Sequence, residues 1–427
     1  MSATNQIDVR RLLLIGNLSI FMIGLGFAVR TAISGNLQTD IYSVLDLANS
    51  AGRVGQALGY TFLGFAFTLL FGSALVDWVG AKKMLLFSAF SYLVGSGLII
   101  LASIMPVTPM VDNLVVAGLM FTGLGWGAVE AASNPMVASI DPDNKVHRLN
   151  VLHAWWPAGI VVGGLAGLLI AKLGIAWQAN LVLLVVPALV MAFLVLKTEF
   201  PQTERVVQGV TYGEMFAELV KQPMFYVFWA CMWLTATAEL APGSWVEITL
   251  THIIGMSGIV ILVYVSMLMF VMRHFAGALA HRFSSVGVLW VGSLLAAIGL
   301  YLLSIANSPV TAFAAATIWA IGVCYLWPTM LATVSERFPR GGALLMGLMG
   351  FGGGMAIWFA LPKMGAIFDN AKLEIAGGKD QFAALTGDAL AAVLRSASVE
   401  SFQAVAIVPL ILLPVFGAIW LYDRKKK

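Results

Sequence analysis

The feature that most constrains this chain is the recurrence, from end to end, of apolar stretches about 20 residues long. Each is long enough to cross the hydrocarbon core of a bilayer as a helix. Twelve are read, at about residues 12–33, 54–76, 84–105, 114–138, 149–171, 177–196, 224–247, 257–280, 286–306, 310–335, 343–368 and 402–422. Of the 427 residues, 60% are hydrophobic and only 11% charged, whereas soluble domains carry roughly 25% charge. A soluble protein with a single anchor is thereby excluded. Forty-three glycines fit the same reading, because glycine is commoner in membrane helices than in soluble ones. The fold class expected is an all-α polytopic membrane protein.

The N-terminal Met1 to Arg11 is short and polar, and the apolar run after it lacks a small-residue cleavage site. It reads as a retained first helix. Cys231 and Cys324 both lie in apolar runs, so neither a disulfide framework nor a metal cluster is expected. An even number of spans puts both termini on one side. With the N-terminus placed in the cytoplasm, seventeen of the 24 lysines and arginines fall on that side and six on the other. That is a positive-inside bias. The net charge of +3 is therefore a topology signal; it calls for an anionic lipid surface and for no nucleic acid. The expected location is a bacterial inner membrane, both termini cytoplasmic, with the chain a monomer.

Two polar loops carry a repeat. After the second segment the chain reads Phe71-Gly-Ser-Ala-Leu-Val-Asp77-Trp78-Val-Gly80-Ala-Lys82-Lys83, and after the eighth it reads Phe275-Ala-Gly277-Ala-Leu279-Ala280-His281-Arg282-Phe283. They align at an offset of 204 residues, near half the chain. Two six-helix halves follow, 1–196 and 224–427, joined by a polar linker at 197–223. Duplicated halves around a midplane site are the plan of many secondary transporters. The first copy resembles the cytoplasmic loop signature of the major facilitator superfamily through Leu75, Asp77, Gly80 and Lys82, with Ser73 and Trp78 as departures. The second copy keeps Gly277, Leu279, Ala280 and Arg282 but has His281 for the aspartate. The resemblance implies the twelve-helix major facilitator fold. It also implies that Asp77, Lys82 and Arg282 gate the cytoplasmic side.

Charges in hydrocarbon are costly, and those that persist usually face a cavity. Arg30 in the first segment, Glu130 in the fourth and Glu239 in the seventh are the candidates; Glu247 and Arg273 lie nearer span ends and read as interfacial. Glu130 shares a helix face with Trp126 and Asn134, one turn either way. Pro135 frees a carbonyl beside it. The run Gly123-Leu-Gly125-Trp-Gly-Ala-Val-Glu130-Ala-Ala-Ser-Asn134-Pro135, followed by Arg148-Leu149-Asn150-x-x-His153, resembles the fucose–proton symporter family. Gly243-Ser244-Trp245, after Glu239, is similar as well. The resemblance implies that Glu130 couples protons and recognises sugar, with His153 and Trp156 near substrate-contacting positions. Arg30-Thr31 stands where those carriers have a coupling aspartate. An arginine there could hold Glu130 ionised, bind an anionic substrate through its planar fork, or snorkel to the interface.

Aromatic rings suit the apolar faces of sugars, although tryptophan and tyrosine also line membrane interfaces. Trp156, Trp245 and Trp327 are the choices here, each close to a polar or proline-broken position, with Tyr325 beside Trp327. Asn134 and Asn150 are candidate donors, Asn150 alternatively a cap of the fifth helix. The glycines at 159, 163 and 167, and the cluster from 347 to 354, read as close helix packing.

The function expected is secondary active transport of a small polar solute, a sugar, by alternating access. The proton is the expected coupling ion, carried by Glu130 and Glu239, with no other cofactor. Alternatives are an organic-anion carrier using Arg30, and a transporter-like nutrient sensor. No Walker A, His-Glu-x-x-His or Gly-x-Ser-x-Gly pattern points to an enzyme or an ATP-driven pump.

Overall fold

The computed structural model describes residues 8–426, and the regular structure among them is all helical. Eleven helices are long and apolar enough to cross a bilayer, and one bent pair supplies a twelfth. They are α1 (Val9–Leu45), α2 (Ser50–Val79), α3 (Ala81–Ser103), α4 (Pro109–Ile140), α5 (Lys145–Lys172) and α6 (Ala179–Leu196). After a linker come α7 (Pro223–Ile254), α8 (Gly258–Arg273), α9 (Ser285–Ser304), α10 (Pro309–Arg337), α11 (Pro339–Ala376) and α12 (Gly387–Lys425). Helices satisfy their own backbone groups, which hydrocarbon requires.

Several boundaries depart from expectation, most clearly in the second set of six helices. The eighth segment stops at Arg273; the Phe275 N–H turns back to the Met272 carbonyl at 2.9 Å, and Ala276–Phe283 leaves as a short helix at 67°. Of that short helix only Ala276 is buried, so its polar and aromatic residues follow the surface rather than the span. α11 runs beyond the expected end near 368 to Ala376, through Lys372. Asp369 pairs with Lys372 one turn away, both side chains buried, and so neither charge ends the helix. The stretch from Asn370 to Ser401 is accordingly mostly helical, with helices over Lys379–Ala384 and Gly387–Ala406.

The two loop copies meet in the backbone as well. Gly80 and Ser284, equivalent at the offset of 204, both have positive φ, 86° and 63°. Each closes one helix and opens the next. Ser284 is the single non-glycine residue with positive φ among those described, a conformation that L-residues disfavour.

Close packing runs along two seams. In one, α1 crosses α5, and a methyl group at Gly159 would overlap the Phe21 carbonyl. In the other, α2 lies against α11: a methyl group at Gly55 would come 2.5 Å from the Leu361 carbonyl oxygen, and one at Gly347 would overlap Ser73. Both glycine clusters therefore pack helix on helix. These α2 contacts span most of its length, so the α2–α11 seam is shut toward both membrane faces. On the face away from the linker, the Asp369 carboxylate accepts the Gly52 N–H at 2.7 Å. That N–H belongs to the first turn of α2, where helical N–H groups have no internal partner.

On the linker face Asp77 pairs with Arg205 at 2.6 Å and accepts from the Thr203 hydroxyl. Lys145 reaches Glu204 at 2.9 Å. The short linker helix Tyr212–Lys221 begins with a capping box of Thr211 and Glu214, and Glu214 also bonds Arg340 at 2.9 Å.

Candidate functional site

Helical spacing builds the first part of the site. The Trp126 indole donates to one oxygen of Glu130 at 3.0 Å, and the Asn134 amide donates to the other at 3.3 Å. Both partners are one turn away on α4, so Glu130 is held by its own helix. Asn134 uses its NH2 group on Glu130, which leaves its oxygen facing His153 Nε2 at 3.0 Å on α5. That oxygen only accepts, so His153 carries its proton on Nε2. A chain of hydrogen bonds thus runs from Glu130 to Asn134 to His153.

Glu239 on α7 supplies the second carboxylate. One of its oxygens accepts from Arg273 Nη2 at 2.9 Å, the other from the Trp327 backbone N–H at 3.3 Å. α10 is broken before Leu326, so Trp327 lies in the first turn of a new helical segment. A helix N-terminus has free N–H groups and favours negative charge.

Arg273 is the correction the structure imposes. Read from the sequence as interfacial, it is 1% exposed and lies against the site. Its distance along the chain from the end of its span misleads, because α8 ends at this residue and the side chain turns inward. Besides Glu239, it donates from Nε to the Cys324 carbonyl at 2.7 Å and from Nη1 to the His153 carbonyl at 2.6 Å. Its guanidinium also lies 5.9 Å from the Trp156 ring centre.

These groups close around a small cavity lined by Trp126, Glu130, His153, Trp156, Glu239, Leu240, Arg273 and Trp327. Measured for the centres of water-sized spheres it holds about 10 Å³, the lower limit for one water. The Trp156 indole N–H has no hydrogen-bond partner. Trp126 packs on Phe62 and Phe65, with ring centres 5.3 and 4.7 Å apart, and Trp156 packs on Phe27 at 5.1 Å.

Of the residues singled out in the sequence, Glu130, Glu239, His153, Trp156 and Trp327 line this cavity and Asn134 backs it. Arg30 does not line it. The guanidinium is buried, 5.4 Å from the Trp126 ring centre, with Trp126 between it and Glu130; it neither snorkels nor pairs with that carboxylate. Its two terminal nitrogens lie near the Tyr92 hydroxyl without forming a well-aligned hydrogen bond. Trp245 is buried away from the cavity lining. Tyr325 donates its hydroxyl to the Met272 carbonyl at 2.7 Å and so ties down the end of α8. Asn150 is no cap, because α5 already begins at Lys145; its amide donates to the Val146 carbonyl at 2.8 Å. Among the residues expected to gate, Lys82 donates to the Leu196 carbonyl at 2.7 Å. Arg282 is exposed beside Phe283. Glu247, two turns before the end of α7, accepts from the Ser257 hydroxyl and the Ile259 N–H at 2.9 and 3.0 Å.

Sequence reasoning missed Arg273 and the linker partners of Asp77. Proline spacing was the available signal for the first: Pro157 and Pro328 lie four residues after His153 and Cys324, the two carbonyls that Arg273 caps.

Comparison with known proteins bears on the fold. A family model described as Major Facilitator Superfamily matches residues 12–369. No curated protein sequence matches the chain. Among solved structures, a D-xylose–proton symporter superposes with a TM-score of 0.74 at 14% identity, covering 95% of this chain and 97% of that one. A variant of the E. coli fucose:proton symporter gives 0.62 at 17% identity, covering 97% and 98%. The human organic anion transporter gives 0.67 at 13% identity, covering 96% and 100%. At such identities the likeness shows the fold alone. With the family match covering most of its length, the chain belongs to the major facilitator superfamily and is a secondary transporter, not an enzyme.

Proposed function

We propose that this transporter moves a small, neutral, polyhydroxylated solute, a sugar, together with protons. The observation that carries the reading is that two carboxylates from different parts of the chain, Glu130 and Glu239, line one buried cavity walled by Trp126, Trp156 and Trp327. Indole faces pack against the apolar faces of a sugar ring, while carboxylate, guanidinium and indole N–H groups meet its hydroxyls. A carboxylate that meets water alternately from either side can load and release a proton, with Glu130 in that role and His153 attached through Asn134.

At about 10 Å³ the closed cavity admits no sugar, since ligand pockets run from about 300 Å³ upward. Binding therefore requires opening, which is the requirement of alternating access. In this reading the halves 1–196 and 224–427 rock about the cavity, joined by 197–223. Asp77, held by Arg205 and Thr203, belongs to the gate on the linker face. The excess of lysine and arginine on that face supports a cytoplasmic position for it and for both termini.

A specific observation favours a second reading. The buried Arg30 guanidinium has the Tyr92 hydroxyl beside it but pairs with no carboxylate among the described residues, and an organic carboxylate would suit its fork. Uptake into proteoliposomes, driven by an inward proton gradient and competed with a panel of sugars, polyols and carboxylates, separates the two. Competition by neutral sugars, with gradient-driven uptake lost in Glu130→Gln, is the expected result. Competition by carboxylates alone, with loss in Arg30→Ala, would establish the second reading instead.

A further inference from the structure

Prolines inside helices strip a carbonyl of its partner, because residue i has no N–H to offer residue i−4. Pro157 lies within α5 and so frees the carbonyl of His153; Pro328, just after the break in α10, frees that of Cys324. Both carbonyls are buried in hydrocarbon, where an unsatisfied acceptor is expensive. One side chain satisfies both. Arg273 donates Nη1 to His153 at 2.6 Å and Nε to Cys324 at 2.7 Å, and its remaining terminal nitrogen holds Glu239 at 2.9 Å. A single guanidinium on α8 thus joins α5, α7 and α10. The bond to His153 is the one that reaches out of the second set of six helices into the first. The same device recurs nearby: Pro242 frees the Ala238 carbonyl, and the Trp319 indole donates to it at 3.2 Å. That bond joins two helices of the second set and crosses to none of the first.

We propose that Arg273 is the positioning residue that keeps the solute-free cavity shut. Its Nη1 clamps the His153 carbonyl across the midplane. Opening between α5 and α8 has to break that bond, and the carbonyl so exposed accepts a hydroxyl of the entering solute, while the released Nη1 donates to a solute oxygen. A neutral polyol offers donor and acceptor together; a carboxylate offers only acceptors and leaves His153 unsatisfied. The last step rests on the transport reading above, whereas the clamp itself does not.

The guanidinium fork is essential to this, because a lysine ammonium cannot reach three acceptors in one geometry. Pro157→Ala removes the clamp from its other end: the substituted residue returns an N–H to the His153 carbonyl within α5, leaving Arg273 and Glu239 paired. The test uses the full chain in nanodiscs without solute. It carries Cys231→Ser and Cys324→Ser, with one cysteine introduced at Leu240, which lines the cavity. The rate of alkylation by N-ethylmaleimide reports opening.

Arg273→Lys and Pro157→Ala are each expected to speed alkylation tenfold or more, and the double variant to be no faster than the faster single one, since both remove one clamp. Pro414→Ala in α12, whose freed carbonyl Arg273 does not touch, is expected to leave the rate unchanged. An unchanged rate in Pro157→Ala, or effects of the two substitutions that multiply, would overturn the clamp and leave Arg273 as the counterion of Glu239 alone. Because no solute is present, a wrong assignment of the solute would leave this result untouched.

Discussion

At the scale of single residues the site is a set of charges, each with a stated reason to be affordable in hydrocarbon. Glu130 is bonded by its neighbours one turn before and after, so its environment is written in the local sequence. It was legible there for that reason. Glu239 and Arg273 instead compensate each other at 2.9 Å, with side chains 3% and 1% exposed. Removing one member of such a pair leaves a buried charge uncompensated, at a cost of about 3–5 kcal/mol, whereas replacing both by apolar residues of similar volume is often neutral. Glu239→Ala is therefore expected to lower the thermal midpoint in detergent sharply. Glu239→Leu/Arg273→Met removes both charges but leaves the His153 and Cys324 carbonyls without a donor, so it is expected to recover only part of that loss while abolishing transport. A double variant as unstable as the single one would show that the pair does not compensate itself. Arg273 was not legible as a site residue, because depth in a membrane is not distance along the chain from a polar residue. The helix ends at Arg273, and the side chain points back into the bundle. Arg30 is buried beside the Trp126 ring, and periodicity within one helix says nothing of a ring from another.

Helices carry the next level. Their number was readable from hydropathy, since length and apolarity are what a bilayer selects. Their ends were not where compensated charges continue a helix, as Asp369 and Lys372 do in α11, or where an apolar run bends off, as after Arg273. The linker is a different case, because its helix Tyr212–Lys221 is amphipathic: Met215 is buried with Val210 and Leu344, and Glu214 and Glu218 face Arg340. The Thr211 N–H and hydroxyl, with Arg340 beside them, hold the Glu214 carboxyl below the usual carboxylate range. A depressed carboxylate stabilises the docked linker fully above its unfolded value near 4.5 and loses that effect as pH falls through the lower folded value. Between pH 5 and 8 the charge on Glu214 does not change. Limited proteolysis of residues 197–223 is thus expected to be constant from pH 8 down to 5, and to rise only in stronger acid. Faster cleavage already at pH 6 would mean that another group governs docking. Any pH dependence of transport between 5 and 8 then originates elsewhere than in Glu214.

For the whole molecule, the duplication at an offset of 204 residues appears in the loop sequences and again in the paired positive-φ residues Gly80 and Ser284. Sequence identity between the copies is slight, yet the backbone turn is the same, because it is the turn that starts the next helix. Closure is a property of the assembled chain and could not be read in advance. α2 and α11 meet toward both membrane faces through Gly55, Gly347 and the Asp369–Gly52 bond, around a cavity of about 10 Å³. A transporter in that state binds nothing the size of a sugar, so the solute must enter as one side opens. The most direct measurement records both fluxes at once, in proteoliposomes containing a pH-sensitive dye and radiolabelled solute, without an imposed gradient. Addition of a neutral sugar that competes in the uptake panel is expected to acidify the lumen in step with its entry, and Glu130→Gln to abolish the acidification. Entry of that sugar with no movement of protons, or acidification by carboxylates alone, would contradict proton-coupled sugar transport through Glu130.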